Sequence, residues 1–201
     1  MKFFASIIVV GLLLFGTASA DPIDDGWKVY KAGKFEEAIR IIEPLAHGGN
    51  VKAQVHMGMI YMDKAHPNYV KQFYWYKRAA VNGFAPAQVM VGSAYSKGRG
   101  VKKNLKEAVR WYRKAAEQCD VRAQFNMGNI YYLGEGVAKN FLLAQMWWKI
   151  SILSGDDFGR NNSNIAAEKM TVTELEKSNS LARSWMARHP KCLADDPKST
   201  S

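Results

Sequence analysis

The sequence predicts an all-α solenoid of helix-turn-helix repeats, and three observations predict it. Ala-Gln followed by Gly and then an aromatic residue occurs three times, as Ala53-Gln54, Gly58, Tyr61; Ala87-Gln88, Gly92, Tyr95; and Ala123-Gln124, Gly128, Tyr131. Each set is followed by a tryptophan with a small residue one helical turn later: Trp75 with Ala79, Trp111 with Ala115, Trp147 with Ser151. The tryptophans stand 36 residues apart in both intervals and the Ala-Gln pairs 34 and then 36 apart, a period at which solenoids stack supersecondary units.

In chain order, the opening residues read as an export signal over 1–20. Lys2 supplies positive charge, Phe3 to Phe15 is an apolar run, and Ala18-Ser19-Ala20 offers the small residues that a signal peptidase needs. The run is shorter than the roughly 20 residues a membrane-spanning helix requires. No cysteine follows the expected cleavage before Asp21, so a lipid anchor is not expected. No later stretch is apolar enough to cross a bilayer. Residues 21–50 then form a first, divergent unit, from Gly26-Trp27 to Glu37-Ala38, with a tight turn at Gly33.

Three repeats follow, at 51–84, 85–120 and 121–156. The first helix of each is marked by helical spacing, as in Ala53, Met57, Ile60 and Tyr61. A glycine inside a helix costs roughly 1 kcal/mol relative to alanine, so Gly58, Gly92 and Gly128 in one register call for close contact between helices. The second helix supplies the filling: Phe73, Trp75 and Tyr76; Trp111 and Tyr112; Trp147 and Trp148. Asn68, Asn104 and Asn140 each sit seven residues before a tryptophan, placed to cap that helix, and Glu107 offers Asn104 a capping-box partner. Asn50, Asp120 and Asp156 are placed to cap the first helices, and Phe84 breaks that rule. Gly98-Arg99-Gly100-Val101 and Gly134-Glu135-Gly136-Val137 supply residues that accept positive φ where a first helix stops. No strand precedes these loops and no Gly-Lys-Ser/Thr follows, so they do not read as phosphate loops.

After Gly155, in register with Gly49, Gly83 and Cys119, the pattern frays through Asn161 to Asn164. A last helix is expected to open on a capping box of Thr171 and Glu174 and to run through Leu175, Leu181, Ala182 and Trp185 to His189-Pro190. Residues 157–190 thus read as the capping helices a solenoid needs, and 191–201 as a loose tail.

The joint pattern A-Q-x-x-x-G-x-x-Y, then G-x-G-V with Asn before the second helix, then A-x-x-W-Y-x-x-A-A, resembles the Sel-one-like repeats (SLR), relatives of the tetratricopeptide repeat, over roughly residues 51 to 156. Cys119 departs from the usual glycine at its turn. The resemblance implies a right-handed superhelix whose concave face, lined by the first helices, docks segments of partner proteins. By resemblance to tetratricopeptide binding positions, that face includes Lys52, Val55, Met59 and Met62, then Val89, Ser93 and Ser96, then Arg122, Phe125, Asn129 and Tyr132. The apolar members, Val89 and Phe125 above all, equally suit packing between repeats.

Composition narrows the function classes. The formal charge of +10 on 201 residues favours acidic partners, which in an exported chain means proteins, anionic envelope polymers or lipid headgroups rather than nucleic acid. A basic stripe of Lys102, Lys103, Lys106, Arg110, Arg113 and Lys114, flanked by Lys97 and Arg99, faces a single acid, Glu107. Lys106, Arg110, Arg113 and Lys114 share one helix face, which serves either as a solvated surface or as an electrostatic dock. Cys119 and Cys192 are able to pair in an oxidising compartment or to remain two separate thiols. His47, His56, His66 and His189 make no metal-ligand spacing, the serines sit in no nucleophile elbow, and no cofactor motif is present. The expectation is an exported, non-enzymatic bacterial scaffold, periplasmic or secreted, that binds protein partners. The alternatives are an envelope hydrolase or cell-wall-active protein, and a binder of an anionic envelope glycan.

Overall fold

The side chains of Asn68, Asn104 and Asn140 each accept the backbone N–H three residues on, at 3.0, 3.1 and 2.9 Å, and each opens a helix. A computed structural model describes residues 21–63 and 67–193 of the chain. The expected signal over 1–20, His66 and the segment from 194 onward lie outside the described residues. Ten α-helices and one 3-10 turn make up the described part: α1 (Pro22–Lys31), α2 (Phe35–His47), α3 (Val51–Ile60), α4 (Tyr69–Val81), α5 (Ala85–Lys97), α6 (Leu105–Ala116), α7 (Val121–Leu133), α8 (Phe141–Leu153), α9 (Gly159–Ala167), α10 (Val172–Arg188) and the turn Pro190–Cys192. From α1 to α9 each helix packs on the next, and α10 packs back on α8. The fold is an all-α helical-repeat solenoid.

The register glycines meet the aromatics of the following helix. A Cβ on Gly58 would stand 2.7 Å from the Tyr76 ring and one on Gly92 3.0 Å from Tyr112, while one on Gly128 would overlap Trp148. The second glycine of each G-x-G-V loop answers a different contact. Gly136 lies against the Leu105 backbone, 2.7 Å from where its Cβ would be, and Gly100 lies closer still against the Tyr69 carbonyl. Each loop therefore rests on the first turn of the preceding second helix.

Successive repeats are tied by a ladder of buried glutamines. Gln54, Gln88 and Gln124 each donate Nε2 to a carbonyl near the end of the preceding helix, of Ala46, Ala80 and Ala116, at 3.1, 3.2 and 3.4 Å. Asn82 then donates to Gln54 Oε1 at 3.3 Å, and Gln118 to Gln88 Oε1 at 2.8 Å. Ser154 holds the same register beyond α8, and both its Oγ and Gln124 Oε1 are buried without a partner.

Three local readings are corrected. Asp156 does not cap a helix at 157: its carboxylate accepts the Phe158 N–H at 3.0 Å, and α9 begins only at Gly159. The capping box at Asn104 is half made, because Glu107 turns to Arg110 at 2.8 Å and the Asn104 N–H donates to the Tyr95 carbonyl. Thr171 and Glu174 complete both arms of theirs. The chain is not loose from Lys191: Pro190–Cys192 forms a 3-10 turn, and Cys192 is buried and disulfide-bonded to Cys119 with the Cα atoms 4.9 Å apart. Cys119 holds φ 70°, the conformation of Gly49, Gly83 and Gly155 in its register.

Candidate functional site

Two clefts open where the first helices of consecutive units stand on either side of a second helix. One, of about 250 Å³, lies between α3 and α5 over α4 and is lined by Met62, Tyr69, Gln72, Phe73, Tyr76, Met90, Val91, Ser93, Ala94 and Arg99. The other, of about 220 Å³, lies between α7 and α9 over α8 and is lined by Asn129, Tyr132, Leu133, Trp148, Asn162 and Ile165. They are the same place two repeats apart. In repeat register, Met62 corresponds to Tyr132, Tyr76 to Trp148, Met90 to Asn162, and Ser93 to Ile165.

The floor of each cleft is the aromatic that follows the repeating tryptophan, and it is there because the register glycine of the first helix leaves room for it. Burial pushes the Tyr76 hydroxyl up to about 12, further from ionisation than an ordinary tyrosine, which is itself uncharged at neutral pH. Trp148 donates its indole N–H to Asn129 Oδ1 at 3.2 Å, and Asn162 donates to the same oxygen at 3.1 Å. The walls are half open to solvent: Met62 is 46% and Tyr69 44% exposed at the first cleft, Leu133 60% and Ile165 47% at the second.

The structure brings some of the sequence-predicted face residues into these clefts and not others. Met62 and Ser93 line the first, Asn129 and Tyr132 the second. Val89 is in the core with Val109 and Tyr112, and Val55 and Met59 pack against the cluster around Tyr76 and Ala79. Phe125 packs on Ala144, Trp148 and Ala166. Ser96 is half-buried and lines neither cleft. Lys52 is engaged by Asp24 at 2.6 Å and Asp21 at 3.1 Å, which together hold its ammonium above the ordinary range, and Arg122 is engaged by Asp120 at 2.9 Å.

Reading the first helices alone misses Tyr69, Phe73 and Trp148 from the second helices, Met90, and Asn162 and Ile165 from the frayed fourth unit. The available signal is the aromatic directly after each repeating tryptophan, carried into the fourth unit by register.

The six residues of the basic stripe are all exposed. Arg110 pairs with Glu107 at 2.8 Å, Arg113 reaches the Tyr131 hydroxyl at 3.4 Å, and Lys114 lies 4.8 Å from the Trp111 ring centroid, which Lys77 also approaches at 4.1 Å. Arg99, adjacent to the stripe in sequence, stands instead over Tyr69 at the first cleft, 5.8 Å from the ring centroid. His56 packs on Trp27 with centroids 4.4 Å apart, which accounts for a histidine at that helix position. Among the described residues no group of three His, Cys, Asp or Glu is placed to hold a metal ion, and no helix is long and apolar enough to cross a membrane.

A family model described as Sel1 repeat matches residues 51–84, 85–118 and 121–156. Among solved structures, the chain is similar to a protective antigen present in uropathogenic Escherichia coli strains that displays an SLR fold. The TM-score is 0.70 and the identity 28%, over 87% of this chain and 44% of that one. It is also similar to a Sel1 repeat protein from Oxalobacter formigenes, with a TM-score of 0.63 and 36% identity over 73% of this chain and 59% of that one. A curated relative, DAP3-binding cell death enhancer 1 of Rattus norvegicus, is 31% identical over 75 residues, which are 37% of this chain and 15% of that protein. The chain spans less than two thirds of the length of each of these relatives.

Proposed function

The chain belongs to the Sel1 repeat family, and from that premise we propose that it is an exported scaffold or adaptor that docks segments of partner proteins across the first helices of its repeats. Sel1-repeat proteins generally mediate protein–protein interactions and are generally not catalytic. The observation that carries the reading here is the recurrence of one cleft, built from equivalent positions, two repeats apart. A partner segment laid along the solenoid meets the same geometry twice, with a different chemical lining each time, which is how a repeat surface is read selectively. Half-exposed Met62 and Met90 suit such a surface, since methionine adapts its shape to what it contacts. Export is supported by the leader-like residues 1–20 and by the Cys119–Cys192 disulfide, a bond that an oxidising compartment permits.

The test is a photo-crosslinking amino acid placed at Met62, Ser93 or Ile165 in the chain from Asp21 onward, with Val81, an exposed residue lining neither cleft, as control. On this reading the three cleft positions crosslink a common protein from an envelope extract, in high salt as in low, and Val81 does not. Equal crosslinking from all four positions would sink the reading.

A second reading is favoured by one observation: the stripe from Lys102 to Lys114 is exposed and only Arg110 of its six cations is ion-paired among the described residues. An anionic envelope polymer is the partner that fits it, with binding that weakens steeply as salt is raised. Retention on such a polymer that is unchanged by Lys106→Glu, Arg110→Glu and Arg113→Glu together rules the stripe out.

A further inference from the structure

The cleft between α7 and α9 differs from its counterpart in what surrounds it. Lys139, from the loop before α8, has its ammonium 5.9 Å from the centroid of Tyr132 and 5.0 Å from that of Phe141. Lys169, from the turn after α9, stands 5.0 and 5.4 Å from the same two rings and donates to the Tyr132 hydroxyl at 2.7 Å. Two cations 30 positions apart in sequence are thus gathered over one pair of rings at the rim of an apolar cleft, and neither is ion-paired with a described carboxylate. Each ammonium rests on the ring faces, and a carboxylate at the rim would add a charge-assisted partner to both.

Inside, the lining is complementary to a peptide. Leu133 and Ile165 are exposed aliphatics facing the Trp148 floor. Asn129 Nδ2 and Asn162 Oδ1, the amide groups left over once Asn129 Oδ1 has accepted its two bonds, have no partner among the described residues and match the carbonyl and N–H of a passing backbone. The volume of about 220 Å³ is below the roughly 300–1,000 Å³ of drug-sized ligand sites and suits a single large side chain. A sugar is the poorer fit, because Trp148 is only 2% exposed and offers no open face for a ring to lie on.

We infer that this cleft docks a partner segment in which one large apolar side chain enters between Leu133 and Ile165 while a carboxylate one or two residues away meets Lys139 and Lys169. The inference deepens the scaffold reading and rests on it: it names the chemistry that one of the two clefts selects.

The test uses the chain from Asp21 with its disulfide intact and acetylated, amidated octapeptides on a Ser/Gly background. Each peptide carries a central Leu or Phe flanked by Glu, Gln or Lys. Binding is read by nuclear magnetic resonance from the Trp148 indole N–H and the side-chain amides of Asn129 and Asn162. Glu-flanked peptides should shift these signals and bind roughly three- to tenfold more tightly than Lys-flanked ones, as two partly exposed ion pairs allow. Lys139→Glu with Lys169→Glu should reverse that order, and Leu133→Ser with Ile165→Ser should abolish binding of all of them. Because Lys169 also holds Tyr132, the Gln versions of both lysines serve as the folding control, expected to bind all three peptide classes alike. Indifference to flank charge in the unaltered chain, or shifts confined to other tryptophans, overturns the inference. Photo-crosslinks from Met62 and Ser93 that persist in that case leave the scaffold reading standing, whereas their absence removes the scaffold reading itself.

Discussion

Cys119 and Cys192, 73 positions apart, are joined by a disulfide that fastens the turn between α6 and α7 to the 3-10 turn after α10. Trp185 of α10 meets Trp147 of α8 at 5.7 Å between centroids, so the bond locks a helix that is already docked. Closing a loop of this length restricts the unfolded chain by about 4 kcal/mol in the chain-entropy account. Reduction, or Cys192→Ser, should lower the urea midpoint accordingly. Cys119 also occupies a left-handed conformation that its sister turns give to glycine, at a cost of about 1 kcal/mol for a residue with a Cβ. Cys119→Gly with Cys192→Ser should therefore be more stable than Cys119→Ser with Cys192→Ser by about that amount. Identical midpoints for the oxidised and reduced chains would contradict the assigned role.

The register glycines make a graded prediction. Gly128 sits against Trp148, which the hydrogen bond to Asn129 holds in place and which an added Cβ would overlap, whereas a Cβ on Gly92 would stand 3.0 Å from the Tyr112 ring, a contact that a shift of a few tenths of an ångström relieves. Alanine gains roughly 1 kcal/mol of helix propensity over glycine, and overpacking costs about 1–3 kcal/mol. Gly92→Ala should come out near neutral, Gly128→Ala destabilised by about 1–2 kcal/mol, and Gly92→Leu by more still. Denaturant melts that rank these three variants alike would remove the close-packing explanation.

What was legible in the sequence is what local chemistry decides. Asn68, Asn104, Asn140 and Thr171 cap because a side-chain oxygen three residues from a free amide suffices, and Gly98 and Gly134 end helices because only they accept the conformation cheaply. What was not legible depends on how distant elements meet. Asp156 has the right register, but the fourth unit starts its helix two residues late, so register alone misplaces the cap. Lys52 looks like a free surface cation until α1 and its cap bring Asp24 and Asp21 beside it, whereas the partner of Arg122, Asp120, lies only two residues away. Lys139 and Lys169 are separate surface lysines until α9 turns the chain back over Tyr132. The cleft floor escapes a reading of the first helices because Tyr76 and Trp148 come from the second, through the gap that a glycine leaves.

The glutamine ladder has a missing rung that can be filled. Asn82 and Gln118 complete Gln54 and Gln88, but Ser154 in the same register leaves Gln124 Oε1 and its own Oγ buried and unpaired. An unmet buried polar group costs about 1–3 kcal/mol. Ser154→Gln reproduces the residue of the preceding repeat and its spacing of 30 residues from the glutamine it serves. It should stabilise the chain by about 1 kcal/mol, and Gln124→Leu introduced in that background should cost more than in the unaltered chain. A thermal melt showing Ser154→Gln neutral or destabilising means the ladder does not extend to the third repeat.

His56 gives the solenoid a pH dependence of predictable sign. Burial holds its imidazole below the ordinary histidine value, Lys52 adds to that, and Asp24 and Asp21 oppose it less strongly. Its Nδ1 is buried without a hydrogen-bond partner that would stabilise the charged ring. The unfolded chain takes up that proton near pH 6.5, where the folded chain still refuses it, so the unfolded state binds more protons across the window below that value. The contribution of His56 to stability is therefore complete above pH about 6.5 and declines as the pH falls towards the lower folded value. His56→Met, the residue at this position in the second repeat, should flatten the fall in urea midpoint between pH 7.5 and 5.5 while keeping a contact with Trp27. An unaltered slope would assign the pH dependence to the carboxylates instead, with Asp21, whose carboxyl is held low by the Ile23 N–H and by Lys52, the first to examine.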